Sequence, residues 1–251
     1  MIRVNNISKS FAEKQVLFNL SAEFQPGEVS QIIGKSGSGK TVFLKSIVGL
    51  HDIDSGEVWF GDREYSNADF KTKREIRQEI GLVFQGGALF TSLSVEENVM
   101  LPLNMFSKLS KKEKIDRVNF CLNRVNMENA NKLFPAEISG GMQKRVAIAR
   151  AIVLNPKYLF CDEPNSGLDP QTSIVIDNLI RELTIEYNIT TIMNTHDMNS
   201  IMEIGDQIIF VYEGKNWWQG SKNDIFNSDN EELNEFVFAS KLYKKIQQAS
   251  R

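Results

Sequence analysis

The sequence predicts an α/β protein in which short apolar strands alternate with helices. Compact apolar runs that suit buried strands recur along the chain, and longer segments of helical character lie between them. The chain has 251 residues, of which 41% are hydrophobic, so it can form a sizeable core. We therefore expect one domain over residues 1–251.

The first third of the chain is predicted to consist mainly of strands. Pro26 and Gly27 mark a turn between two of them. The expected strands are 2–7, 16–24, 28–33 and 56–60, and a helix is expected over 39–48.

The middle of the chain changes from strand to helix. Residues 80–84 form an apolar run that suits a buried strand. Ser94 and Glu97 then match a capping box, as do Ser110 and Glu113. We therefore expect an inserted helical subdomain over about 87–149.

The last third returns to core strands and ends in a helix. Residues 212–215 suit a hairpin turn into a strand over 216–219. Core strands are expected over 158–161, 190–194 and 207–211, a helix over 170–186, and a charged amphipathic helix over 229–248 within a C-terminal helical tail of about 229–251.

Composition excludes several classes of function. The net charge is -3 without long blocks of one sign, so no nucleic-acid partner is expected. Cys121 and Cys161 are flanked by apolar residues, which indicates buried thiols in a reducing compartment. No apolar run reaches the roughly 18 residues that span a bilayer, and the first residues lack a signal-peptide pattern. We expect a cytosolic chain that meets a membrane only through a partner.

A phosphate-binding loop follows the third expected strand and opens a helix. Its glycines let backbone amides surround phosphates, its lysine reaches the β and γ phosphates, and its threonine coordinates Mg²⁺. The loop consists of Gly34, Lys35, Ser36, Gly37, Ser38, Gly39, Lys40 and Thr41.

Two acids end the strand over 158–161. Asp162 suits a Mg²⁺-associated carboxylate, and Glu163 could polarise a water for attack on the γ phosphate. The structural alternative is that both acids cap the turn at Pro164.

These motifs, in this order, resemble those of the ATP-binding cassette (ABC) ATPases over nearly the whole chain. The resemblance implies a P-loop NTPase fold with a RecA-like core, an N-terminal antiparallel β subdomain and an inserted helical subdomain. It also implies roles for single residues. Phe11 would stack on adenine, Gln85 would be the Q-loop residue, with a catalytic and Mg²⁺-binding role, Asp169 would belong to the D-loop, and His196 would be the switch histidine.

Each of these positions alone has an ordinary structural interpretation. Phe11 would more often be a core residue, Gln85 a polar residue at a strand end, and His196 a structural histidine. The ordered set favours the functional interpretation.

The resemblance further implies a homodimer with shared ATP sites. Ser139, Gly140 and Gly141 match the family signature at a helix start, where a hydroxyl and backbone amides form an anion site for the ATP of a partner chain. The usual leucine and glutamine of the motif are replaced by Ile138 and Met142. The second change removes an amide and could alter ATP affinity.

Segments 84–90, 94–99 and 101–103, with a methionine in the signature, look like the ATPase of Mla and Mce-type lipid transporters. That likeness implies an integral membrane permease, possible substrate-binding and auxiliary subunits, and a position at the cytoplasmic face of the bacterial inner membrane. Ala88, Leu89 and Phe90 would either line the permease groove or be buried in the core.

Several other functions are alternatives to lipid transport. An importer for amino acids or another polar solute, or a lipoprotein or cell-division module, would keep the same ATPase. A soluble ABC protein of DNA repair or the ribosome would carry a coiled coil or second cassette. Glu163 and His196 argue against a regulatory cassette without turnover.

Overall fold

The computed structural model describes residues 1–239, and two β-sheets form its framework. The smaller sheet is antiparallel and has the order β2-β1-β4-β5. Buried and exposed side chains alternate along parts of its strands, as in a sheet with one solvated face. Its strands are β1 (Ile2–Phe11), β2 (Lys14–Phe24), β4 (Ser55–Phe60) and β5 (Arg63–Glu64).

The larger sheet is mixed and lies between two groups of helices. Its strands are β3 (Val29–Ile33), β6 (Ile80–Val83), β7 (Tyr158–Asp162), β8 (Thr190–Asn194), β9 (Gln207–Tyr212) and β10 (Lys215–Gly220). They follow the order β10-β9-β3-β8-β7-β6, and only β10 pairs antiparallel. Because β3, β7 and β8 are buried throughout, both faces of this sheet are covered.

Helices cover the central sheet on both faces. The helices are α1 (Lys40–Ile47), α2 (Phe70–Gln78), α3 (Val95–Phe106), α4 (Lys111–Arg124), α5 (Gly140–Ile152), α6 (Pro170–Glu186), α7 (Met198–Ile204) and α8 (Glu231–Val237). One core joins α1 to both sheets through Phe43, Phe24 and Phe160. A second core joins α3, α4, α5 and α6 to the other face of the central sheet.

The observed architecture confirms the predicted fold class. Both predicted capping boxes are present, at Ser94 and at Ser110. Cys121 and Cys161 are buried and free. No helix within residues 1–239 is long and apolar enough to cross a membrane.

Several element boundaries differ from the sequence-based prediction. β1 continues to Phe11 because it pairs with β2 along its length. The helix expected from Ser139 to Leu154 is observed as α5, which ends at Ile152. The prediction missed α2 and α7. Among the residues of α2 only Ile76 is buried, so this helix carries little apolar periodicity. Of the helix predicted over 229–248, the structure shows α8, which ends at Val237 with Phe238 as its C-cap, and the residues beyond 239 lie outside the described part.

Candidate active site

The phosphate loop connects β3 to α1 in a conformation that requires glycine. Gly34, Gly37 and Gly39 have φ values of 147°, 80° and 110°, which side chains disfavour. A Cβ atom at Gly34 would lie 2.3 Å from the carbonyl oxygen of Val211. The loop therefore keeps its shape only without side chains at these positions.

Lys40 is held inside the loop. Its side chain is 7% exposed, and Nζ donates to the carbonyl oxygens of Gly34 at 2.9 Å and of Lys35 at 3.1 Å. Burial lowers the pKa of Lys40, and the carboxylates of Glu163 and Asp162 oppose that shift. A phosphate would be a stronger partner for this ammonium than the two neutral carbonyls, so the loop suits a polyphosphate.

The β9–β10 hairpin supports the loop from outside. Its turn has φ values of 47° at Glu213 and 72° at Gly214, which is a type I′ pattern. The Gly214 amide donates to the Ser38 carbonyl at 3.0 Å, and the Gly214 carbonyl accepts from the Phe18 amide at 2.9 Å. The hairpin thus fixes the phosphate loop against β2.

Gly214→Ala should destabilise the protein and weaken ATP binding. Its Cβ would lie 2.0 Å from the Val16 carbonyl oxygen, so the hairpin would have to move away from the phosphate loop. We expect a loss of about 2 to 4 kcal/mol in the free energy of unfolding, measured with urea. Gly61→Ala is the control, because Gly61 also has positive φ but has space for a Cβ. It should lose only about 1 kcal/mol. Equal losses would contradict the proposed support.

Thr41 and Asp162 form the part of the site that suits Mg²⁺. Thr41 Oγ1 lies 3.3 Å from Asp162 Oδ1, and Asn194 Nδ2 donates to the same oxygen at 2.8 Å. A hydroxyl and a carboxylate are ligands that Mg²⁺ accepts together with phosphate oxygens and water. Within residues 1–239 no three His, Cys, Asp or Glu side chains cluster as a metal site. The residues present therefore fit a Mg²⁺ ion that arrives with a nucleotide.

Glu163 is held between two other predicted site residues. Its Oε1 lies 3.2 Å from His196 Nδ1, and its Oε2 accepts from Gln85 Nε2 at 3.2 Å. Gln85 also donates to Ser166 Oγ at 3.1 Å, so its amide faces Glu163 in this structure. The φ of Glu163 is 48°, a strained value that its surroundings impose. The structure thus brings Gln85, Glu163 and His196 together.

One cavity of about 430 Å³ contains the phosphate loop, Glu163 and His196. Its size suits a small-molecule ligand. Phe236 of α8 lines it as well, and Lys35 pairs with Glu235 of the same helix at 3.4 Å. Sequence reasoning assigned these α8 residues no part in the site, because the motif pattern gives no signal for a contact with the C-terminal helix.

Phe11 lies outside the lining of that cavity. Its ring is 42% exposed and packs edge-on against His51, with 5.1 Å between centroids. Lys9 Nζ lies 5.3 Å from the ring centroid. The exposed ring is available for stacking, and its role toward adenine stays a prediction.

The signature residues begin α5. Ser139 is the N-cap, and its Oγ accepts from the Met142 amide at 3.3 Å. Ser139 and Gly140 are exposed, and neither they nor Gly141 line the cavity of the phosphate loop. The Met142 side chain packs on the core. Asp169 has a similar capping position, since it accepts from the Thr172 amide at 3.0 Å at the start of α6.

Comparison with known proteins places these features in a family. The family model described as "ABC transporter" matches residues 17–166. The methionine import ATP-binding protein MetN of Clostridium tetani is 37% identical over 96% of this chain and 76% of its own. Protein TRIGALACTOSYLDIACYLGLYCEROL 3, chloroplastic, of Arabidopsis thaliana is also 37% identical, over 96% of this chain and 74% of its own.

A solved structure shares the fold. It is the dimeric structure of a post-hydrolysis state of the ATP-binding cassette MJ0796 bound to ADP and Pi, with 34% identity and a TM-score of 0.80. The match covers 88% of this chain and 98% of that chain.

Proposed function

Because this chain belongs to the ABC transporter family and is an ATPase that binds ATP with Mg²⁺, we propose that it powers the transport of lipid, specifically phospholipid, across the bacterial envelope. The observation that most supports ATP hydrolysis is that the phosphate loop, Glu163 and His196 line one cavity. The lipid cargo is inferred from segments 84–90, 94–99 and 101–103 and from the likeness to the relative named for trigalactosyldiacylglycerol.

The geometry supports a separate role in hydrolysis for each group of site residues. Lys40 and the loop amides would hold the β and γ phosphates, and Thr41 with Asp162 would hold Mg²⁺, which neutralises phosphate charge. Glu163 would orient and deprotonate the attacking water. Gln85 and His196 would keep the carboxylate aimed, since each is 3.2 Å from one of its oxygens.

Two copies of the chain would share their ATP sites. Ser139, Gly140 and Gly141 are exposed or half-exposed at the start of α5 but do not line the chain's own phosphate-loop cavity. A hydroxyl and free amides at a helix N-terminus suit an anion from another molecule. We therefore infer a head-to-tail homodimer that ATP holds together.

The permease would bind beside Gln85. Leu89 packs on the core, whereas Ala88 and Phe90 are exposed. Arg150 fixes this loop by donating to the carbonyl oxygens of Gly87 at 2.7 Å and Ala88 at 2.8 Å. An exposed aromatic on a rigid loop suits a permease helix. This binding would place the chain at the cytoplasmic face of the inner membrane, in a complex that auxiliary subunits could join.

Copurification should separate the cargo alternatives. We expect the tagged chain to isolate a membrane permease together with phospholipid, identified by mass spectrometry, and to hydrolyse ATP faster in that complex. Phe90→Asp should abolish copurification of the permease, while Phe70→Asp, a change at an exposed phenylalanine of α2, should not. A complex that contains a permease but responds only to a polar solute would contradict the lipid assignment.

The second candidate is import of an amino acid such as methionine. The similarity to MetN favours it, because its 37% identity over 96% of this chain matches that of the lipid-named relative. Stimulation of the purified complex by methionine and its binding protein, without bound phospholipid, would support this function instead.

A further inference from the structure

A buried line of polar side chains lies beneath the candidate active site. Asp177 of α6 is 2% exposed, and its Oδ1 accepts from Asn165 Nδ2 at 2.7 Å. Ser200 of α7 faces the same carboxylate and, by hydrogen bonding, lowers its pKa. Ser200 is joined in turn to β3, because Gln31 Nε2 donates to its carbonyl oxygen at 3.0 Å.

The segments that this line joins each carry part of the site. Asn165 lies in the turn that contains Glu163, and α7, which holds Ser200, follows directly after His196. β3, which holds Gln31, leads into the phosphate loop. Asp177 is therefore at the point where the Glu163 turn and the His196 segment meet.

The position is unfavourable for a carboxylate. Burial raises the pKa of Asp177 to about 6, and the charges of Asp197 and Glu203 from α7 add to that rise, while hydrogen bonds from Asn165 and Ser200 oppose it. From β7, Cys161 also faces this carboxylate, and the charge of Asp177 adds to the effect of burial on the thiol's pKa. An apolar side chain at this position would avoid the desolvation penalty. Carboxylates in such surroundings cluster at functional sites.

We propose that Asp177 is a positioning residue for ATP hydrolysis. It accepts hydrogen bonds from Asn165 and Ser200 at once and so fixes the Glu163 turn against the helix that follows His196. The 3.2 Å separation between Glu163 and His196 depends on this connection. Asp177 acts through these neighbours, not through contact with the nucleotide.

The test is the steady-state kinetics of Asp177→Asn in the full chain. Asparagine has nearly the same shape, but one carboxylate oxygen becomes an NH₂ group that donates and cannot accept, so the side chain no longer accepts through two oxygens and carries no charge. We expect kcat to fall by about tenfold or more, with KM for ATP unchanged within about twofold. A kcat within about twofold of the unmodified protein would overturn the proposal.

Thr184→Val is the matched control for a purely structural effect. Thr184 is fully buried on the same helix, but its hydroxyl bonds Ile180 and Thr191, at 2.8 and 2.6 Å. This variant should lose stability and keep its kcat. A loss of kcat equal to that of Asp177→Asn would show that any buried polar change in α6 has the same effect, and would overturn the positioning role.

Ser200→Ala tests the other end of the connection with a smaller change. If the two residues act together, the Asp177→Asn, Ser200→Ala double variant should have the same kcat as whichever single variant has the lower kcat. Independent, multiplying losses would contradict the proposal. The inference rests on the roles proposed for Glu163 and His196. If Glu163→Gln lost hydrolysis while Asp177→Asn kept it, the positioning role alone would fail, whereas normal hydrolysis by Glu163→Gln would remove the base assignment on which that role rests.

The pH dependence of stability checks that the carboxylate is buried. A carboxyl group whose folded pKa is raised contributes stability below its unfolded pKa of 3.8 and loses it as pH rises through about 6. The free energy of unfolding of the unmodified protein should therefore fall, relative to Asp177→Asn, between about pH 4 and 7. If the free energies of unfolding of the two proteins differed by the same amount at every pH in this range, the buried position on which the proposal depends would be contradicted.

Discussion

Replacing Glu163 by glutamine should lower the rate of ATP hydrolysis by at least about 100-fold while ATP still binds. Glutamine keeps the length of the side chain and an oxygen that can accept from Gln85. It cannot take a proton from the attacking water. Lys40, Thr41 and Asp162, which would hold the nucleotide, are unchanged, so a phosphate-release assay and a nucleotide-binding assay should separate the two effects.

Glu213→Gln is the control for this variant. Glu213 also has a positive φ, 47°, but it is exposed in the β9–β10 turn. The same substitution there should leave hydrolysis unchanged. If Glu163→Gln retained near-normal turnover, Glu163 would not be the base. If both variants lost activity, the cause would be the backbone at positive φ and not the carboxylate.

Ser139→Arg should abolish ATP-dependent dimerisation while each chain keeps its affinity for ATP. The side chain is exposed at the start of α5, where a long arginine would occupy the space proposed for the partner's γ phosphate. Because Ser139 does not line the chain's own cavity, the phosphate loop would be unaffected. Sedimentation with ATP, in the Glu163→Gln background that prevents hydrolysis, measures the dimer directly.

Ser110→Arg controls for the loss of a helix cap. Ser110 is an exposed serine N-cap, like Ser139, and its Oγ accepts from the Glu113 amide at 3.4 Å. Both arginine variants should lose about 1 kcal/mol of stability. Only Ser139→Arg should stay monomeric. A normal dimer with Ser139→Arg would remove the signature from the shared site.

The parts of the site that the sequence predicted are those with a local signal. The phosphate loop consists of consecutive residues, and its glycines are needed for positive φ at 34, 37 and 39. Glu163 directly follows β7, and parallel strands end at the same edge of the sheet, so Glu163 and His196 could be expected to meet. The structure places them 3.2 Å apart.

The remaining parts depend on contacts between distant segments. Gly214 supports the phosphate loop across the β9–β10 turn, and Asp177 bonds residues of two other segments. Phe236 reaches the cavity from the last described helix. Each of these residues is ordinary in its local sequence. Its importance comes from packing, which periodicity and motif spacing do not report.

The cargo is a separate problem, because the ATPase does not bind it in either proposed function. This chain is 37% identical both to a methionine import protein and to a protein named for a lipid. The physical difference would lie in the permease, which the ATPase contacts through surfaces such as the one around Phe90. The ATPase sequence therefore indicates the identity of the cargo only indirectly.

Cross-linking tests the shared ATP site most directly. Ser36 in the phosphate loop and Ser139 in the signature are exposed, so cysteines at these two positions would be open to a cross-linker. The native Cys121 and Cys161 would not react, because both are buried. In the Glu163→Gln background with ATP, a short bis-maleimide should join the phosphate loop of one chain to the signature of another and give a species of twice the chain mass. Cross-links formed only within single chains would contradict the head-to-tail pair.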